Sequence, residues 1–274
     1  MTKIIILPFL CLLVSISAAP TREAFALEER SIKGVPIDAF ELGDANLNIE
    51  LWARSPMIFS PVAMDFDAQG RLWTTEGIDY QRGMRIKEGR SIIVLEDKDW
   101  DGKADSSHVF VTEKEIRHAA LGIAVFDNRI VLSSTPSIIV YTDVNRNAVF
   151  DEGVDKREVF LTGFRDASHD HTLHAVVGAP SGQWHFSYGN RGADIKTKDG
   201  RHHISGCYYG YSDGIGKKSS DGEVYVGGMT MRVNPDGTGL TPTGENMRNS
   251  HDMFVSSYGD IYQSDNDDPA HARI

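Results

Sequence analysis

The chain has 274 residues, a formal net charge of −11 and 41% hydrophobic residues. That is enough apolar material for one large domain or two small ones, and it argues against wholesale disorder. The acidic balance offers no basic cluster to neutralise phosphates, so a nucleic-acid partner is not expected.

Residues 1–19 carry Lys3, an apolar run from Ile4 to about Ile16, and the small residues Ser17, Ala18 and Ala19. This pattern predicts a secretory signal peptide, too short for a comfortable membrane span, and therefore an exported protein, periplasmic or cell-surface associated, with no transmembrane span once the leader is removed. Of the two cysteines, Cys11 lies in the leader and only Cys207 survives, so no internal disulfide is expected, and these residues hold no C-x-x-C-H haem motif. An N-terminal extension is read over 20–45, and a single domain from 46 onward.

From residue 61 the chain repeats itself. A short apolar strand, a tight Gly or Asn turn and a second strand opening on a polar residue recur around Gly70, Asn128, Gly182 and Gly259, 54 to 77 residues apart. Further strands are predicted at 91–96, 108–112, 137–142, 157–161, 223–226 and 229–233, about four per unit. Sustained helical periodicity is absent. Because a four-stranded unit cannot bury both of its faces alone, the pattern predicts an all-β fold, a β-propeller with about four blades visible. Residues 46–53 read as a lone strand ready to complete a last blade, and the sequence as a piece of a longer propeller. Residues 189–221 read as a long polar insertion.

Two kinds of motif carry chemistry. Asp97, Asp99, Asp101, Gly102 and Asp105 have the odd-position oxygens and central glycine of a calcium loop, although His108 stands where such a loop places its bidentate Glu. Asp143, Asn145 and Asn147 open a weaker copy, and an Asx-rich turn is the competing reading of both. His118, His171, His174 and His251 lie at or just before the first strand of a unit. In a propeller such strand starts converge on one face around the central channel, and imidazoles gathered there can serve as bases. Arg248 shares that face, where its planar fork could clamp an anion or bridge acidic residues.

Asp170-His171, then Pro180-x-Gly182, then Tyr188-Gly189-Asn190-x-Gly192 resemble the D-H…P-D-G…G-D-x-G signature of soluble quinoprotein glucose/sorbosone dehydrogenases. Gly228-x-x-x-Arg232-x-Asn234-x-Asp236-Gly237, Arg248-Asn249 and Gln263-Ser264-Asp265 are similar to later segments of the same family. The wording over residues 40–274 looks closest to the exported membrane-bound-dehydrogenase propellers of planctomycete-type bacteria.

That resemblance implies a six-bladed propeller, of which about four blades are visible here, oxidising a sugar or alcohol hydroxyl, with pyrroloquinoline quinone (PQQ) and calcium as cofactors and haem c only where a downstream domain exists. It implies His171 as general base with Asp170 orienting it; Arg248, Asn249, Asn190, Arg191 and His174 around the quinone; and Asp265, Asp267 and Asp268 near its calcium. The partners implied are a small-molecule substrate and an electron-accepting cytochrome. Asn190 and Ser181 stand where the family has Asp, and Leu173-His174 where it has small residues. A propeller that only binds carbohydrate or protein, and a calcium-dependent lactonase-type hydrolase using Glu76, Asn190 and Asp265, are the competing functional readings.

Overall fold

The computed structural model describes residues 39–77, 89–114, 120–165, 171–207 and 216–266; the segment read as a leader lies outside them. Among the described residues no helix is long and apolar enough to cross a membrane.

The first blade is an antiparallel meander of β1 (Pro61–Phe66), β2 (Leu72–Glu76), β3 (Arg90–Glu96) and β4 (Ser106–Glu113). The second repeats it with β5 (Gly122–Phe126), β6 (Arg129–Ser134), β7 (Ser137–Thr142) and β8 (Lys156–Phe164). After β9 (Leu173–Gly178) and β10 (Trp184–Tyr188) the third blade is interrupted by β11 (Ala193–Lys196), β12 (His203–Cys207) and β13 (Tyr225–Val226). It resumes with β14 (Gly228–Val233) and β15 (Thr241–Met247), and a fourth blade begins with β16 (Met253–Val255) and β17 (Ile261–Gln263). The first strand of each blade touches that of the next, β1 to β5 to β9 to β16. Radial meanders around converging inner strands define the β-propeller that the repeats predict.

Alternation along the strands builds the core. In β3, Ile92 and Val94 pack toward blade two, whereas Ile93 and Leu95 face Trp52, Ala53, Met57 and Ile58. All four are fully buried, each contributing roughly 1.5–3 kcal/mol of transfer free energy. The interface between blades one and two is aromatic: Phe110 meets Trp73, Tyr141 and Phe150 edge to face, with centroids 5.1 to 6.2 Å apart. Between blades two and three, Phe164 meets Phe186 and Tyr188 in the same manner.

Three expectations need correction. Residues 46–53 form no strand; they run as irregular chain over blade one, where the Trp52 carbonyl accepts the Ala104 N–H. The insertion at 189–221 is not all loop. Its hairpin β11–β12 pairs with the outer strand β8 and, with β13 added on β12, widens blade two to seven strands. Gly163, at φ +111°, permits this: a Cβ there would collide with the Asp194 carbonyl. Finally, the strand expected at 223–226 is β13, which runs parallel to β12 in that widened sheet, and β15 supplies the fourth strand of blade three instead.

The turn of blade one is stapled by Asp67. Its Oδ1 accepts the N–H groups of Gln69 and Arg71, and its Oδ2 accepts Arg71 Nε and Trp73 Nε1. Burial alone would raise this carboxyl, but the bonds from Trp73 and Arg71 outweigh it and hold the group below its ordinary value. A depressed folded-state value stabilises the fold above the unfolded carboxylate range, and that stabilisation is lost as pH falls through the folded value. Asp67→Asn is therefore expected to cost about 1–3 kcal/mol in urea unfolding at pH 7. The difference from wild type should narrow steadily once the pH is taken below about 4.

Candidate functional site

The inner strands leave a channel of about 810 Å³ walled by β1, β5, β9 and the start of β16. At the end where β9 begins, the chain brings polar groups together from blades three and four. Gly189 N donates to the Thr172 carbonyl at 2.7 Å and Arg191 N to the His171 carbonyl at 3.3 Å, so the end of β10 is tied to the approach of β9. Asn190 N donates to the Arg248 carbonyl at 2.7 Å, which ties both to blade four.

His171 is 8% exposed and its Nδ1 lies 3.0 Å from Asn190 Oδ1. An amide oxygen only accepts, so Nδ1 carries the proton and Nε2 is the basic nitrogen. Asn190 thus does with a neutral amide what a carboxylate does in many base–orienter pairs.

His174 is fully buried, and its Nε2 donates to Asn249 Oδ1 at 2.6 Å. Its ring lies against that of His251, with centroids 4.7 Å apart and planes tilted by 42°. Asp265 accepts the backbone N–H of Arg248 on Oδ2 and that of Asn249 on Oδ1. Arg248 Nη1 donates to the carbonyl and side-chain oxygens of Asn266.

The structure therefore gathers His171, Asn190, Arg191, His174, Arg248, Asn249 and Asp265 at one end of the channel. Their surfaces differ. His174 and the 3%-exposed Asn249 are interior scaffolding, whereas Asn190, Arg191 and Arg248 are half-buried and can meet a ligand. Asp265 uses both oxygens on backbone amides. Asp170, Asp267, Asp268 and His118 lie outside the described residues. Sequence reasoning missed Asp252, an exposed neighbour of His251 on the channel wall; its place between His251 and the strand expected from Met253 was the available signal.

The predicted calcium loop lies elsewhere, at the β3–β4 turn. Ligand atoms of Asp97, Asp99 and Asp105 lie within 4.8 Å of one another, and Asp101 instead caps the Lys103 N–H. The copy at 143–155 repeats the backbone pattern: Gly102 N bonds Asp97 Oδ2 as Ala148 N bonds Asp143 Oδ2. There, however, the amides of Asn145 and Asn147 both donate to Asp151 Oδ2 at 2.7 and 2.8 Å, closing the loop from within. Those two bonds hold the Asp151 carboxyl below its ordinary value. In the first loop carboxylates stand where the second has amides, a donor set suited to a hard cation.

Blades radiating from a channel with a polar mouth define a β-propeller with a channel-end site. The chain belongs to the family described as domain of unknown function DUF7133, whose model matches residues 37–273. A comparison with curated protein sequences finds no match. Among solved structures, the iodide structure of a Trichoderma reesei carbohydrate-active enzyme of family AA12 is 14% identical with a TM-score of 0.49, over 79% of this chain and 47% of that one. The calcium structure from the same AA12 family gives 13% and 0.46, over 76% and 46%. Virginiamycin B lyase from Staphylococcus aureus gives 12% and 0.33, over 77% and 71%. The chain thus spans about half the length of the AA12 structures it matches.

Gly189 is where the site is tightest. A Cβ there would lie 2.6 Å from Asn249 Oδ1 and 2.7 Å from the His171 carbonyl carbon, which is backbone and cannot swing away. Gly189→Ala should therefore cost about 1–3 kcal/mol in urea unfolding. Gly43→Ala, with nothing within 4 Å, should leave the midpoint unchanged.

Proposed function

We propose that this propeller handles sugars in an exported oxidoreductase of the quinoprotein type, with His171 as general base at the channel mouth. The observation that carries the reading is the Nδ1–H bond of His171 to Asn190, which leaves Nε2 as the basic nitrogen on the approach to β9, just ahead of Ala175 where that strand joins the wall of the 810 Å³ channel. A base held in one tautomer near a substrate-sized channel is suited to taking the proton of a substrate hydroxyl.

The residues present are compatible with a flat, multiply anionic quinone. Arg191 and Arg248 flank Asn190 and are half-buried, so PQQ would be held by these three rather than by the buried His174 and Asn249. When bound, the quinone supplies the hydride acceptor. His171 receives the hydroxyl proton, and Asn190 keeps its ring oriented. Electrons would leave to a cytochrome partner, in keeping with export to the periplasm or cell surface. The Asp97, Asp99 and Asp105 cluster is proposed as a calcium site that stabilises blade one, remote from the chemistry.

Two measurements test this. The whole protein loaded with PQQ and calcium should reduce an artificial electron acceptor in the presence of an aldose from a test panel. His171→Ala should lower that rate by about 10²–10⁴-fold. No reduction by wild type, or an unchanged rate in His171→Ala, would leave a binding propeller as the better reading. Separately, calcium at roughly tenfold to hundredfold excess over its Kd should stabilise the fold by about 1–3 kcal/mol. That gain should vanish in Asp99→Asn; an equal gain in the variant would remove the calcium assignment.

A further inference from the structure

The segment Arg248-Asn249-Ser250-His251-Asp252 is fixed by more hydrogen bonds than a connection between blades requires. Asp265 takes its first two N–H groups. Its first carbonyl accepts from Asn190 N, and the Ser250 carbonyl accepts from Ser187 Oγ at 3.0 Å. Asn249 Oδ1 takes the proton of His174 Nε2. Asn249, Ser250, Ser187 and His174 are all between 0% and 3% exposed. Ser250 Oγ has no hydrogen-bond partner among the described residues, but the Ser250 carbonyl, the Ser187 hydroxyl, His174 Nε2 and Asn249 Oδ1 are paired, and buried pairs of this kind fix one geometry.

What that network presents is the next two side chains. His251 and Asp252 are exposed, and both line the channel. The His251 ring rests against the buried His174 ring, tilted 42° to it with centroids 4.7 Å apart. Asp252 accepts the Met253 N–H on Oδ1 at 2.8 Å, which fixes the carboxylate while leaving acceptor capacity on Oδ2. Around them the wall is apolar, with Val62, Met64, Val177 and Met253. A fixed carboxylate, a fixed imidazole and an apolar wall match a ligand with a hydroxyl edge and an apolar face, the surface of a pyranose ring.

We infer that His251 and Asp252 are the specificity-determining contacts for a sugar in the channel, with Asp252 accepting from its hydroxyls and His251 lying against the ring. This rests on the sugar reading above but concerns binding alone. His174, Asn249 and Asp265 act through them as positioning residues.

The test is binding to the whole protein without added cofactor, by isothermal titration and saturation-transfer NMR, using D-glucose, D-galactose, D-xylose and D-glucono-1,5-lactone as probes. Wild type should bind at least one of them. His251→Ala and Asp252→Asn should each weaken that binding at least tenfold with an unchanged melting midpoint, while Tyr258→Ser, 93% exposed at the β16–β17 turn, binds as wild type. Asp252→Asn should also change the order of preference among the four sugars, which a merely structural role would not do. Binding by both channel variants equal to wild type overturns the inference, as does wild type binding none of the probes. The oxidoreductase reading fails separately: sugar binding lost in the variants, with no acceptor reduction by loaded wild type, removes the redox chemistry and leaves the binding site standing.

Discussion

A four-stranded sheet with apolar side chains on both faces has to be covered twice, and everything else in this protein follows from how that is done. Between blades one and two the cover is the Trp73, Phe110, Tyr141 and Phe150 cluster. A buried polar clamp sits beside it: Glu113 at the end of β4 accepts both the Tyr141 hydroxyl and Arg157 Nε, each at 2.6 Å. Burial and then Glu113 push the Tyr141 hydroxyl well above its ordinary value, so it remains a donor at any physiological pH. The pair fixes the rotation of one blade on the next. That angle decides which inner-strand ends face each other across the channel.

The covering is uneven, and the difference shows along single strands. In β1, Ala63 packs against blade two and Asp65 accepts the Val125 N–H, whereas Met64 and Phe66 on the opposite face are more than half exposed. In blade four, Met253 and Val255 are buried, but Phe254 and Tyr262 stack on each other in solvent. Alternation with period two explains both patterns: each strand offers one face to a neighbour that is present and one to open space. Residues 52–58 cover blade one further out, over Ile93 and Leu95.

The channel mouth combines two design elements with different physical origins. His171 and Asn190 form a hydrogen-bonded pair on the blade-three side, set by the connection from β10. The 248–252 segment is held from beneath by buried polar groups and turns His251 and Asp252 into the channel. Gly122 and Gly189 allow both. A Cβ on Gly122 would lie 2.7 Å from the His174 carbonyl, and one on Gly189 would lie as close to His171 and Asn249. The two elements thus meet as closely as backbone contact permits.

Strand–turn–strand repeats around Gly70, Asn128, Gly182 and Gly259 were enough to read an all-β propeller, because alternation and turn chemistry are local properties that survive in any context. The same register placed His171, His174 and His251 at one end of a channel, and the aspartate spacing marked the turn at 97–105. Other features were illegible for a common reason, dependence on partners distant in sequence. β11 and β12 are only four and five residues long, and exist as strands because Gly163 opens the edge of β8 to them. β15, with the sequence TPTGENM, has no strand pattern of its own and forms by pairing with β14. Residues 46–53 alternate like a strand yet find no sheet edge, so they lie as irregular chain over blade one. Most tellingly, identical-looking polar residues divided into scaffold and surface only when the blades packed. His174 and Asn249 went inside as each other's hydrogen-bond partners, and His251 and Asp252 stayed in the channel, because burial is decided by the neighbouring blade and not by the residue itself.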